Sequence, residues 1–328
     1  MRKLLIVISL SLLIACSLSA QISKVGSSGA QFLKVGVGSK YQGIGEASVA
    51  MTDDIYAMYW NPAGLVGIEN SAVSFTNVNY LLDIDLNYFG FAKSFEDIGV
   101  FGFSTTILSM GDQEITDFDN QDGTGEYYSA SSYAFGVSFA RQLNAQFAFG
   151  GSIKYIGEKI HHVSSGGIAL DFGTMLYTGF NSLRLGMSIS NMGPKLEFSG
   201  SDLVYQDTQN GVPVTVEKKS TPYELPLVFR IGLAYDMDFG PKSIVTVASE
   251  YKHPNDNEQQ GSLGGQYSYN NMFFLRGGYK FNYDEEGLAF GGGFETPLGE
   301  ATNLMIDYAW QDFGRLESTQ RFSIGFSF

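Results

Sequence analysis

Residues 147–155 read Phe-Ala-Phe-Gly-Gly-Ser-Ile-Lys-Tyr. Phe147, Phe149, Gly151, Ile153 and Tyr155 form one row, and Ala148, Gly150, Ser152 and Lys154 fall between them. A period of two marks a strand, because successive side chains point to opposite faces. The same rule governs Leu227-Phe229-Ile231-Leu233-Tyr235, Phe273-Leu275-Gly277-Tyr279-Phe281, Leu304-Ile306-Tyr308-Trp310 and Phe322-Ile324-Phe326-Phe328. Similar runs fall near 71–80, 87–95, 98–109, 128–140, 166–177, 182–190, 243–252, 262–269 and 287–295. The pattern predicts about fourteen strands of about ten residues each.

The two faces differ in kind. One is apolar and nearly free of charge. The other is small and polar and carries both signs, at Lys154, Asp171, Arg184, Arg230, Glu250, Arg276, Asp307 and Arg321. A soluble sandwich buries its apolar face and spreads charge outside, whereas a membrane barrel turns the apolar face to lipid and the polar face inward. Beyond residue 20 no apolar run approaches the ~18–20 residues of a membrane-spanning helix. The expected fold is therefore all-β: a transmembrane antiparallel β-barrel of about 14 strands over 71–328, integral to the bacterial outer membrane and surrounded by its lipid.

Loop lengths agree. An even strand number puts both termini in the periplasm, with long connections outside and short ones inside. The two longest and most polar connections, near 110–127 and 191–224, both fall outside on that count. Phe328 ends the last strand and is the kind of terminal aromatic that outer-membrane assembly machinery reads. Tyr127, Tyr128 and Trp310, near strand ends, suit the headgroup level.

Composition excludes several classes. Aromatics make up 14% of the 328 residues and charged residues only 16%, against ~25% charged in soluble domains, so the chain is too apolar to be disordered. Forty glycines without a Gly-X-Y period, and eight prolines, exclude collagen. A formal charge of −14 repels a phosphate backbone, so no nucleic-acid partner is expected. Nothing in the sequence assigns an oligomeric state.

Arg2 and Lys3 precede an apolar stretch from Leu4 to Ile14 and small residues up to Ala20, the layout of a secretory signal peptide over 1–20. The alternative is a lipobox at Leu13-Ile14-Ala15-Cys16, which would make Cys16 a lipidated N-terminus. Cys16 is the single cysteine, so the remainder has neither disulfides nor thiolate ligands.

Between Gln21 and Asn70 the alternation disappears. The segment is punctuated by glycine and then reads Gly-Ile-Gly-Glu-Ala-Ser-Val-Ala over 43–50 and Asp-Asp-Ile-Tyr-Ala-Met-Tyr-Trp-Asn-Pro-Ala-Gly-Leu over 53–65. Asp53 or Asp54 suits the cap of a short helix over 55–59, or an ion pair to the wall, and Asn61-Pro62 turns the chain. Residues 21–70 are expected to form a plug in the small, mixed-charge lumen, with Gly43, Gly45, Glu46, Asp53, Asp54, Tyr59, Trp60, Asn61, Pro62 and Gly64 as its motif.

Residues 43–65 resemble the signature of the PorV/PorQ family, which is similar in fold to the FadL fatty-acid transporters and their Asn-Pro-Ala-Gly hatch. The resemblance implies a fourteen-stranded barrel with an N-terminal plug. For PorV-like members it also implies a part in type IX secretion, with secretion-machine proteins and cargo bearing a C-terminal signal domain as partners. The alternative is FadL-like transport of a hydrophobic small molecule, with Met192, Leu196, Phe198, Leu203 and Val204 as candidate pocket residues.

Chemistry is otherwise sparse. Gly43, Gly45 and Ser48 imitate a phosphate loop but lack the βαβ context, and no Gly-x-Ser-x-Gly elbow is present. The histidines are His161, His162 and His253; adjacent His161 and His162 in a strand would face opposite ways, which argues against a metal site with Glu158. Residues 112–123 are rich in oxygen ligands but break the EF-hand spacing at Gln121 and read as a hydrated loop. Val212–Val216 is β-prone, suited to a hairpin folded on itself or to pairing with a partner strand. No catalytic residue, metal or cofactor is assigned.

Overall fold

A computed structural model describes residues 25–82, 84–209 and 212–328. The expected leader, with Cys16 and Ala20, lies outside the described residues. Fourteen long strands make the wall: β1 (Ser71–Asn79), β2 (Ile84–Phe95), β3 (Gly99–Met110), β4 (Ala130–Asn144), β5 (Phe147–Ile160), β6 (Val163–Tyr177) and β7 (Arg184–Met192). They continue as β8 (Val228–Asp238), β9 (Ser243–Pro254), β10 (Gln260–Tyr269), β11 (Phe273–Phe281), β12 (Leu288–Pro297), β13 (Asn303–Asp312) and β14 (Ser318–Ser327). Each pairs antiparallel with its neighbours in sequence, and β14 returns to β1 with Ala72 opposite Ser327 and Asn79 opposite Gln320. Phe328 N–H donates to Ser71 O at 2.8 Å, just beyond the end of that ladder.

The parity read from the sequence is the parity of the wall. Along β5, Phe149, Ile153 and Tyr155 are exposed, while Ala148, Gly150 and Ser152 are buried. Along β8, Arg230, Gly232 and Ala234 are buried and Phe229, Ile231 and Leu233 are partly exposed. The exposed aromatic and aliphatic rows face outward, where a lipid-facing band belongs. No helix among the described residues is long and apolar enough to cross a membrane.

Among the described residues two seams shift register: β4–β5 between Gln142 and Asn144, close to its turn, and β6–β7 between Leu170 and Phe172. Leu170 of β6 faces Met192, but Phe172 faces Ile189, so β7 carries an extra residue in a bulge. Asn191, at φ 65°, turns its N–H to the Asp171 carboxylate at 2.7 Å. Lys154 then reaches Asp171 at 2.8 Å and the Asn191 side chain at 2.6 Å, which staples the seam from inside.

Connections 111–129 and 193–227, the two longest, share one end with 80–83, 161–162, 255–259, 282–287 and 313–317. The expectation of uniformly longer links at that end fails at β5–β6, whose strands extend until only residues 161–162 join them. Gly29 N–H donates to Glu224 O at 3.0 Å, and Lys34 meets Asp256 at 3.0 Å, so residues 25–34 sit at the long-connection end. From there the segment threads the lumen and enters β1 at the opposite end. The two ends of the barrel itself, Ser71 and Ser327, do lie together on the short-turn side, as an even strand number requires.

Ile153 lies midway along β5 on the outward face. Replacing it with Arg should lower stability in lipid vesicles by ~2–4 kcal/mol, as a charge near the bilayer midplane does. Urea unfolding followed by tryptophan fluorescence would measure this. An effect as large for Arg at exposed Asp238, at a strand end, would contradict the assigned depth.

Candidate functional site

Residues 29–68 pack against the inward side chains of the wall. Their helices are short: a 3-10 turn Gln31–Lys34, α1 (Ser39–Gly43), α2 (Ala57–Trp60) and a 3-10 turn Pro62–Gly67. Gly38 and Gly43 bracket α1, since glycine loses much conformational freedom in a helix, and Pro62 holds Asn61 in an extended conformation that stops α2 at Trp60. Glycine also lets two backbones touch. Gly43 lies against the backbone of Gly291 in β12, and Gly45, at φ 65°, against Tyr279 N in β11. On the wall, a Cβ at Gly264 or Gly278 would collide with Ile44, and one at Gly186 with Val49 O.

Polar contacts fix the register of this packing. Glu46, 4% exposed, meets Lys280 of β11 at 2.7 Å and Lys252 of β9 at 3.9 Å. Lys280 also binds Glu286. Burial alone would raise the Glu46 carboxyl, but Lys280, then Lys252 and Arg321, outweigh it and hold the group at about 2. Glu250 of β9 accepts the N–H groups of Ser48 at 2.9 Å and Val49 at 2.8 Å while facing Arg230 at 3.5 Å. Arg321 of β14 donates to Gly36 O at 3.1 Å, and Ser39 N–H donates to Ser323 Oγ at 3.0 Å.

The Tyr-Trp-Asn-Pro run is the centre of this interface. Trp60, 1% exposed, donates from Nε1 to Val37 O at 2.9 Å and carries Arg230 over its ring at 5.4 Å. Tyr59 stands edge-on to it at 4.7 Å and donates to Leu33 O at 3.0 Å. Asn61 donates to Val49 O at 2.7 Å and to Thr174 O of β6 at 3.1 Å, and accepts from Ala63 N at 3.2 Å. Pro62 opens the following 3-10 turn, where its missing N–H costs little. Gly64 presses on Thr52 O, where a Cβ would collide.

Asp53 and Asp54 behave differently from the wall pair expected of them. Both grip Lys40, at 2.8 and 3.0 Å, so the ion pair lies within the segment. Asp54 also accepts Tyr56 N–H at 3.0 Å, ahead of α2, which spans 57–60 rather than 55–59.

All eight charged residues read as inward do have inward partners: besides those above, Arg184 meets Asp236 at 2.9 Å and Arg276 meets Asp307. Lys252, Lys280, Glu286 and Gln311 complete the network and were missed. Lys252 and Lys280 share the parity of Glu250 and Arg276, which was the available signal.

At the long-connection end, Phe32 and Leu33 pack with Ile156, Ala169, Leu196 and Leu225 in a closed apolar cluster. Of the candidate pocket residues only Leu196 is buried there; Met192 and Val204 are exposed. A neighbouring cavity between Leu33, Tyr59, Tyr88 and Lys154 holds about 20 Å³, room for about one water. Val204–Gln209 pairs with Val212–Glu217 in a projecting hairpin, so Val212–Val216 is folded on its own loop. In the oxygen-rich loop, Asp117 accepts the N–H groups of Asp119 and Asn120 at 2.9 and 2.7 Å.

A family model described as the type IX secretion system protein PorV matches residues 18–253. No curated protein matches the chain. Among solved structures, the CymD monoaromatic hydrocarbon channel is 14% identical with a TM-score of 0.59, over 90% of this chain and 98% of that one. The Pseudomonas putida toluene transporter TodX is 13% identical with a TM-score of 0.61, over 89% and 98%. The Ralstonia pickettii toluene transporter TbuX is 12% identical with a TM-score of 0.56, over 89% and 97%. At these identities the likeness is one of fold.

Removing the Glu46 charge by Glu46→Gln leaves buried Lys252 without its carboxylate and Lys280 with Glu286 alone, and should cost ~3–5 kcal/mol, the usual effect of breaking a buried pair. Unfolding midpoints would show it. Because the folded carboxyl titrates near 2 rather than 4.5, its contribution is complete above pH 4.5 and is lost as pH falls toward 2. Stability of the wild type between pH 4.5 and 2 should therefore decline more steeply than that of the Gln variant.

Proposed function

The chain belongs to the family of the type IX secretion system protein PorV, and on that premise we propose that it handles secreted proteins bearing a C-terminal signal domain at the outer membrane. Its partners in this reading are the secretion machine and its cargo, and its role is binding and hand-over without a catalytic step. The observation that carries the reading is the filled lumen. Residues 29–68 occupy the interior through contacts with β6, β8, β9, β11, β12 and β14, and the small cavity beside them takes about one water. A barrel stopped in this way exposes its outer connections as working surface. The exposed hairpin of Val204–Gln209 and Val212–Glu217 and the loop 111–129 provide that surface, while residues 29–68 keep the barrel shut as its plug.

The test is mild crosslinking in native outer membranes, followed by affinity capture and mass spectrometry of proteins and lipids together. Secreted proteins that share a C-terminal domain, or a large secretion pore, should be recovered with the wild type. Their yield should fall at least several-fold when the hairpin is shortened to a tight turn between Leu203 and Lys218. Capture of the barrel alone with a stoichiometric hydrophobe would overturn the reading in favour of small-molecule transport.

A further inference from the structure

The β5–β6 connection is two residues long and both are histidines. Two-residue hairpin turns favour Asn-Gly or Asp-Gly, which accept positive φ at little cost. Here His161 takes φ 52°. That backbone turn defeats the alternation expected of adjacent strand residues, and the two imidazoles lie on one side with ring centroids 3.8 Å apart. Both point Nδ1 at a single carboxylate: Asp202 Oδ2 stands 2.8 Å from His161 Nδ1, and Oδ1 stands 3.1 Å from His162 Nδ1.

Asp202 arrives from a distant part of the chain by a built route. Ser199 and Gly200 pair with Ser164 and Val163 at the start of β6, laying the long connection beside the hairpin. Gly200, at φ 153°, lies so close to His162 O that a Cβ would collide. The 3-10 turn Ser201–Leu203 then swings Asp202 over the tip, where Oδ2 also accepts His162 N–H at 3.1 Å. Lower on the same hairpin, Tyr223 donates to Glu158 at 2.7 Å and so ties down the returning limb of the connection.

We propose that His161, His162 and Asp202 form a site for one zinc-class divalent cation that clips connection 193–227 to the β5–β6 hairpin. The three donor atoms lie within 4.8 Å of one another, close enough to share one ion. Two imidazole nitrogens and one carboxylate oxygen suit Zn²⁺, Cu²⁺ or Ni²⁺, whereas Ca²⁺ and Mg²⁺ prefer oxygen alone. Three protein ligands leave a fourth position for water or a group from outside. The side chains are 36%, 61% and 35% exposed, so an ion reaches them from solvent. The projecting hairpin begins two residues after Asp202, at Val204, so the clip sets the direction in which that hairpin leaves the barrel. The site does not depend on the secretion reading.

Full-length barrel in detergent, stripped with chelator, would be titrated with ZnCl₂ against a chromophoric competitor. The wild type should take up one equivalent, undisturbed by excess Ca²⁺. His161→Ala, His162→Ala and Asp202→Asn should each weaken uptake by about tenfold or more, the scale for losing a metal ligand or its support, whereas Glu158→Gln should not. Zinc should also slow tryptic cleavage at exposed Lys218 and Lys219 in the wild type and not in the His161→Ala/His162→Ala variant. Heat-modifiable gel migration would verify that each variant is folded. Wild-type protein that retains no zinc, or uptake unchanged in folded ligand variants, would overturn the proposal and leave a hydrogen-bonded His–Asp cluster.

Discussion

In hydrocarbon, an unpaired backbone N–H or C=O costs several kcal/mol, and this constraint shapes everything else in the molecule. A sheet facing lipid cannot keep an edge. The first strand must therefore find the last, as Ala72–Asn79 finds Gln320–Ser327. Closure turns every second side chain toward a common interior, and a ring of fourteen strands makes that interior wide enough to need filling. Where the ladder is irregular, between β6 and β7, Asp171 and Lys154 supply from inside the hydrogen bonding that the neighbouring strand does not.

The chain's own N-terminal side packs against the inward face of the wall, and the fit has two components. Glycines on both partners bring backbones into contact at Gly43–Gly291 and at Ile44 against Gly264 and Gly278. Charges then choose one register among the many that small residues would allow. Glu46 between Lys280 and Lys252, and Glu250 beneath the Ser48 and Val49 amides, are each satisfied in only one position of the segment. Buried ion pairs contribute modest net stability because desolvation offsets their attraction. Their contribution here is to positioning.

At the long-connection end the same segment meets the longest loop. Ser28, Gln31 and Lys34 converge on Asp256, and Gly29 pairs with Glu224. Phe32 and Leu33 share one apolar cluster with Leu196 and Leu225. The start of this segment and the base of the outer connection are thus one packed unit.

The wall was legible in the sequence because strand parity is local. Phe149 and Ile153 announce lipid, Ser152 and Lys154 announce lumen, and no distant residue is needed to decide it. The same parity marks Arg230, Glu250, Arg276 and Arg321 as inward, and Lys252 and Lys280 with them. The glycine-rich stretch up to Asn70 stood out as a departure from the pattern and as a segment suited to the lumen, without its partners on the wall. What the sequence could not supply was pairing across distance: Ser48 and Glu250 are 202 residues apart, and Asn61 and Thr174 are 113 apart. It also could not show that Lys40, rather than the wall, takes Asp53 and Asp54, or that the N-terminal side enters the lumen from the long-connection end. His161 and His162 mark the boundary most clearly. Periodicity put them on opposite faces, but one left-handed backbone angle put them on the same one. By itself the sequence determined which side chains face lipid and which face inward, since a two-residue period needs only neighbouring atoms. The tertiary structure decided which inward groups meet, because only closure of the barrel brings such distant parts of the chain within hydrogen-bonding range.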